Sequence, residues 1–186
     1  MNLRTRWLVV ALALTAGCGY NTIQTYDEQV NAAESQIKVQ LQRRADLIPN
    51  LVETVKAFAA QEKAIFTEVA EARAKLAGAV QSNDLQKMGE ANAALTAPLG
   101  RLLAIAENYP QLKSDANFRS LQDQLEGTEN RIAVSRQDYN EAVNRYNAFI
   151  RRFPAVLTAK VIGKGPRPYF QADAGADKVP KVDFSK

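Results

Sequence analysis

The side chains with the most chemical potential in this sequence are Arg44, Asp46, Asn50, Glu107, Glu129 and Arg136, together with Tyr109 and the repeated pairs Tyr139-Asn140 and Tyr146-Asn147. Carboxylates beside guanidinium groups are raw material for proton transfer. The chain has no histidine and one cysteine, Cys18. That removes Ser-His and Cys-His nucleophile pairs, an internal disulfide and the usual zinc ligand sets. No Glu-x-x-His pair exists for a di-iron bundle, and Gly163-Lys164-Gly165-Pro166 lacks the spacing of a phosphate loop. Spacing alone does not bring the charged residues together, and each has a structural use: Asp46 as a helix N-cap, Arg44 as a donor to loop carbonyls or to a carboxylate. Tyr139 and Tyr146 lie seven residues apart, so they share a helix seam with Asn140 and Asn147 at its shoulder. They form either a ligand or partner surface or, the preferred reading, polar groups that fix the register of a long bundle. No catalytic residue, cofactor or metal is expected.

Long amphipathic helices must position these residues. Tyr20, Ile23, Tyr26, Val30, Ala33, Ile37 and Leu41 recur at threes and fours and predict a first helix whose other face, with Asp27, Asn31 and Glu34, is solvated. Between Arg44 and Pro49 the pattern meets either a corner or a kink. A break or sharp bend is preferred, with Asp46 capping a second helix to about Val80 along Leu47, Leu51, Val55, Phe58, Phe66, Val69 and Leu76. Ser82 or Asn83 then caps a third helix through Leu85 to Ala106, which Pro98 either kinks or restarts with Thr96 as a local cap. Glu107-Asn108-Tyr109-Pro110 closes it. From Phe118 to Phe153 a period near 3.5 residues predicts a fourth helix as a second long stave. Residues 154–186 are rich in Pro, Gly and Lys and read as an irregular tail that either packs back on the bundle, the preferred reading, or offers itself to a partner as a strand. The expected fold is all-α: a long antiparallel up-and-down bundle of about four helices over 20–153, followed by that tail.

The first residues form a basic start with Arg4 and Arg6, an apolar run Trp7–Leu14, and Thr15-Ala16-Gly17-Cys18. This is the layout of a secretory signal over 1–17. The run is shorter than the about 20 apolar residues of a spanning helix. Ala-Gly-Cys resembles a bacterial lipobox, with Thr15 where leucine usually stands. Cys18 would then carry the lipid, with 18–19 as a short linker; a plain signal or short anchor is the alternative. Removing residues 1–17 takes Arg4 and Arg6 away and lowers the net charge from +4 to +2. No run of like charges suits nucleic acid.

Arg43-Arg44-Ala45-Asp46-Leu47-Ile48-Pro49-Asn50-Leu51-Val52, Glu107-Asn108-Tyr109-Pro110-Gln111-Leu112-Lys113, Tyr139-Asn140, Tyr146-Asn147, Phe153-Pro154 and Val179-Pro180-Lys181-Val182-Asp183-Phe184 together resemble the LemA family. The resemblance spans about Tyr20 to Phe184. It implies an antiparallel, four-helix-type bundle held at a bacterial membrane by its N-terminus, with no established catalytic activity. Family members commonly use an N-terminal transmembrane helix, whereas this chain has a short segment ending in Cys18.

The reading that follows is a non-enzymatic, lipid-anchored interaction or scaffold protein of the bacterial envelope, whose partner is an unidentified envelope or membrane protein. Gly19 after the cysteine suggests the periplasmic face of the outer membrane where a second membrane exists. The alternative is a small-ligand-binding or sensory module with a pocket between helices near Tyr139, Tyr146 and Glu107.

Overall fold

The computed structural model describes residues 3–171, with side chains from Gly19 onward. Six helices appear: α1 (Leu3–Lys56), α2 (Lys63–Gln81), α3 (Leu85–Ala106), α4 (Pro110–Ser114), α5 (Ala116–Ile150) and α6 (Ala155–Val161). The described residues contain no strand, and the protein is all-α as the periodicity predicts. They divide into two compact units, the first built from 3–38 and 132–169 and the second from 39–131 and 170–171. Both α1 and α5 contribute to each unit.

The expected break before Pro49 does not occur: α1 runs through it to Lys56. A proline inside a helix leaves the carbonyl four residues earlier without its donor. That carbonyl belongs to Ala45, and Arg73 of α2 supplies the missing N–H, its Nε donating to Ala45 O at 2.9 Å. Asp46 is therefore no cap. It lies exposed in mid-helix and accepts from Gln42 Nε2 at 2.8 Å. The real turn falls at 57–62, where Phe58 N and Ala59 N both donate to Val55 O. Phe58, expected on the seam, is displaced onto the turn and is one-third exposed, while Ala59 is fully buried.

In the second unit, α1 and α2 run antiparallel, with Lys56 over the Phe66 ring at one end and Arg73 on Ala45 at the other. Helices α2 and α3 are antiparallel too: Gln61 Nε2 donates to the Tyr109 hydroxyl just past α3, and Arg101 pairs with Glu68. Leu41, Ile48, Leu51, Val55, Val69, Leu76, Met88, Leu95 and Leu102 fill the core. Neither Ser82 nor Asn83 caps α3. Asp84 does, its Oδ1 accepting from Gln86 N and Lys87 N at 3.1 Å each, after Asn83 turns the chain at φ 55°. Asparagine tolerates that left-handed geometry better than most residues. Helix α3 passes through Pro98 without restarting, and the Thr96 hydroxyl donates back to Asn92 O rather than capping a new piece.

In the first unit, α1 and α5 are antiparallel. The Tyr26 and Phe149 rings meet edge to face at 5.4 Å, and further along the pair the charge of Glu34 reaches Tyr139. Ile132, Tyr139 and Tyr146 are buried along α5, matching its predicted seam, and Val143 is buried as well, but the helix stops at Ile150 and Phe153 is 80% exposed. The tail is not irregular from its start. It opens with α6, whose Ala155 and Ala159 are buried, and Ala155 Cα lies 3.4 Å from where a Cβ on Gly19 would stand. After Gly163, at φ 69°, the chain straightens over 164–171.

Candidate functional site

The extended segment after α6 lies as a strap in the first unit, held by side chains on both long helices. From α5, the Tyr139 hydroxyl donates to Pro168 O at 3.0 Å and the Tyr146 hydroxyl to Gly165 O at 3.1 Å. Asn147 forms a two-way pair with Arg167: its Nδ2 donates to Arg167 O at 2.9 Å and its Oδ1 accepts Arg167 N at 2.8 Å. An extended segment has no internal backbone partners, so each such bond satisfies a group that burial would otherwise strand. Tyr139, Tyr146 and Asn147 thus hold the strap in register.

Helix α1 completes the clamp. Asp27 sits in its buried stripe between Ile23 and Val30 and is 7% exposed. Its carboxylate accepts Lys164 Nζ at 2.6 Å on one oxygen and Arg167 Nε at 3.1 Å on the other. Arg167 also donates to Asn31. The expectation that Asp27 and Asn31 face solvent is overturned, because two cations of the strap repay the cost of burying the acid. Burial raises the Asp27 pKa, but the hydrogen bond from Lys164 and the charges of Arg167 and Lys164 outweigh it and hold the carboxyl below its ordinary 3.8. The hydrogen bond to Asp27 in turn raises Lys164 above 10.5. Burial, with the charge of Glu34 at Tyr139 and of Asp27 at Tyr146, raises both phenols above 10.0, so they keep their protons and serve as donors.

A second polar cluster sits in the other unit. Arg44, 6% exposed, donates from Nη1 to Asn92 Oδ1 at 2.7 Å and pairs with Glu129 of α5. Of the charged residues singled out above, this ion pair unites Arg44 and Glu129. Asp46 and Asn50 are exposed on α1, Glu107 is exposed at the end of α3, and Arg136 is half-buried on α5 in the first unit. Tyr109 caps α4 without a side-chain cap bond and accepts from Gln61; Asn140 is half-buried beside Tyr139. Of the residues expected near a pocket, Tyr139 and Tyr146 give their hydroxyls to the strap, and Glu107 belongs to the second unit. An open recess of about 210 Å³ lies elsewhere in the first unit, lined by Tyr26, Asn144, Arg145, Ala148, Phe149 and Arg152.

Spacing gave no sign of Asp27, Asn92, Arg73, Lys164 or Arg167. One signal was present: Glu141 is followed by six basic residues and no acid until Asp173, so the strap's cations must find an acid from elsewhere in the chain. The side chains of residues 1–18, Cys18 among them, and the terminal Val182-Asp183-Phe184 lie outside the described residues. Among the described residues, no helix is long and apolar enough to cross a membrane, and no group of His, Cys, Asp and Glu is placed to hold a metal.

Comparison with known proteins adds a common descent to this geometry. The chain is similar to two copies of the magnetosome protein MamQ of Paramagnetospirillum magneticum, each 32% identical over 91% of this chain and 71% of the relative. MamQ of Magnetospirillum gryphiswaldense is 30% identical over the same shares. The LemA family model matches residues 33–184, from within α1 through the strap and beyond. The match covers the Arg44 cluster, the strap and most of the clamp, leaving Asp27 and Asn31 just upstream, and the chain belongs to the LemA family.

Proposed function

We propose that the protein is a non-enzymatic interaction scaffold of the bacterial envelope, tethered to a membrane at its N-terminus with Cys18 as the lipidated residue. The observation that carries this reading is how the polar side chains are spent. Arg44, Asn92 and Glu129 tie helices together, and Asp27, Tyr139, Tyr146 and Asn147 hold the strap. Groups bound this way have little freedom to bind or turn over a substrate, and none is poised as an acid beside a base. Helix α1 supports the tether, since the backbone of Cys18 lies on the helix that continues into the folded body.

Metabolic palmitate labelling of the wild type and Cys18→Ser tests the anchor. Label on the wild type alone is expected, and equal or absent label on both sinks the lipid. Photo-crosslinking from exposed positions in cells tests the scaffold. A specific envelope protein captured by the wild type and lost with Cys18→Ser is expected, whereas a small molecule that co-purifies without any crosslinked protein favours the ligand-binding alternative.

A further inference from the structure

Helix α6 has one face packed and one bare. Ala155 and Ala159 are buried, with Ala155 against α1 at Gly19. Leu157 and Val161, four residues apart and so on a shared face, are 53% and 87% exposed, and Phe153 on the turn before them is 80% exposed. Isolated exposed apolar residues are ordinary, but three large ones on one short element call for a cover. The charges around them say of what kind. From Ala142 to Ala172 the sequence has no acid and six bases. Arg151, Arg152 and Lys160 are exposed, and none has an ion-pair partner among the described residues. The first acid of the whole chain is Asp27, and it is already paired inside the fold.

We propose that this face of α6 and the Phe153 turn lie in the headgroup layer of a membrane containing anionic lipid. The inference rests on the tethered reading for the membrane's presence, and adds a second contact with its own chemistry. Its position follows from the chain. Gly19, which Ala155 touches, directly follows Cys18, the proposed point of lipid attachment, on helix α1. An element beside the lipid attachment is within reach of the interface, where an amphipathic helix buries its apolar face about 5–10 Å deep. Leu157, Val161 and Phe153 supply the apolar insertion, and Arg151, Arg152 and Lys160 meet the phosphates. The recess edged by Arg145 and Arg152 adds a concave place for one headgroup phosphate, with Tyr26 and Phe149 as its apolar wall.

The test uses the full chain with Cys18→Ser, so that Leu157→Cys is the sole thiol and carries an environment-sensitive dye. Leu157 is half-exposed, so the substitution spares the core. The chain is reconstituted into phosphatidylglycerol–phosphatidylcholine vesicles and into phosphatidylcholine vesicles, some with nitroxide-labelled lipid; Lys75→Cys on α2 serves as the control site. A blue-shifted, lipid-quenched Leu157 label in the anionic vesicles, with Lys75 unchanged, is expected. Replacing Arg151, Arg152 and Lys160 by Ser should weaken the docking equilibrium by about fivefold per residue, about a hundredfold together. A chain that floats with the vesicles while the Leu157 label stays aqueous overturns the inference and leaves attachment through the N-terminal run alone. Equal burial in neutral vesicles overturns the anionic assignment, and a concentration-dependent blue shift without vesicles assigns the face to a second copy instead. Failed palmitate labelling with an inserted Leu157 label removes the lipid at Cys18 and leaves this contact standing.

Discussion

Arg44 carries a full charge at 6% exposure, and its partner Glu129 keeps 47% of its side chain in solvent. The two ends of the pair therefore have unequal worth. Arg44→Ala strands Asn92 and removes a buried guanidinium, and should cost about 3 kcal/mol in urea unfolding. Glu129→Gln keeps an acceptor at a wet site and should cost under about 1 kcal/mol; equal losses would mean that the pair is not divided this way. Asp27 offers a titration. Its folded pKa is depressed, so its contribution is complete above 3.8 and fades as pH falls through the folded value. Lys164 is raised, so its share is complete below 10.5 and fades as pH rises past the folded value. Tyr146 and Asn31 face the same carboxylate region and do not change charge in acid. The Gly165 amide resonance should shift in an acid step below pH 3.8 as the strap loosens. Asp27→Asn should abolish that step, and a step that survives the substitution would place its origin elsewhere.

At the scale of elements, Pro49 and Arg73 form one device. Arg73→Met should destabilise the protein by about 1–2 kcal/mol, because it strands the Ala45 carbonyl. In a Pro49→Ala background the same change should cost clearly less, since the new amide can donate to Ala45; an additive double-mutant cycle would show that the two are uncoupled. Two glycines separate packing from propensity in the same way. A Cβ on Gly89 would meet the Phe170 ring at 3.1 Å, whereas one on Gly78 would meet nothing within 4 Å. Thermal melts should show Gly78→Ala stabilised by about 0.5–1 kcal/mol and Gly89→Ala destabilised by about 1 kcal/mol. The device at Pro49 also explains where reading the sequence succeeded. The seams at Leu51, Val55, Leu76, Leu102, Ile132 and Tyr146 follow from apolar period alone, and so do the helices they lie on. The break did not, because the donor that lets α1 continue sits 28 positions away on another helix. The turn at 57–62 was equally hidden: Ala57, Ala59 and Ala60 favour helix, and tertiary packing overrides them. The tyrosines of the clamp were legible as seam residues and Asn147 as a residue at the seam's shoulder. Their object was not, because an extended strap has no period of its own.

For the whole molecule, the all-α body depends on a core shared by several helices. Leu51 is fully buried where α1 joins the second unit. Leu51→Asp should abolish cooperative melting by circular dichroism, since an unpaired carboxylate cannot be accommodated there; an unchanged melt would mean that this seam is not the core. The division of the chain has a further consequence, for the order of events during synthesis. The second unit draws its helices from one unbroken stretch, 39–131, and can assemble as soon as that stretch is available. The first unit is made from 3–38 and 132–169, and its clamp closes only when Lys164 and Arg167 reach Asp27. Those partners lie 137 and 140 positions apart, a loop closure among the slowest kinds of contact to form. A chain that emerges from a ribosome or a translocon must hold its first helix half-covered until Lys164 and Arg167 arrive. A stalled or clipped product would present that uncovered stripe of α1, with Ile23, Asp27 and Val30, as a mark of incompleteness that a quality-control protease can read.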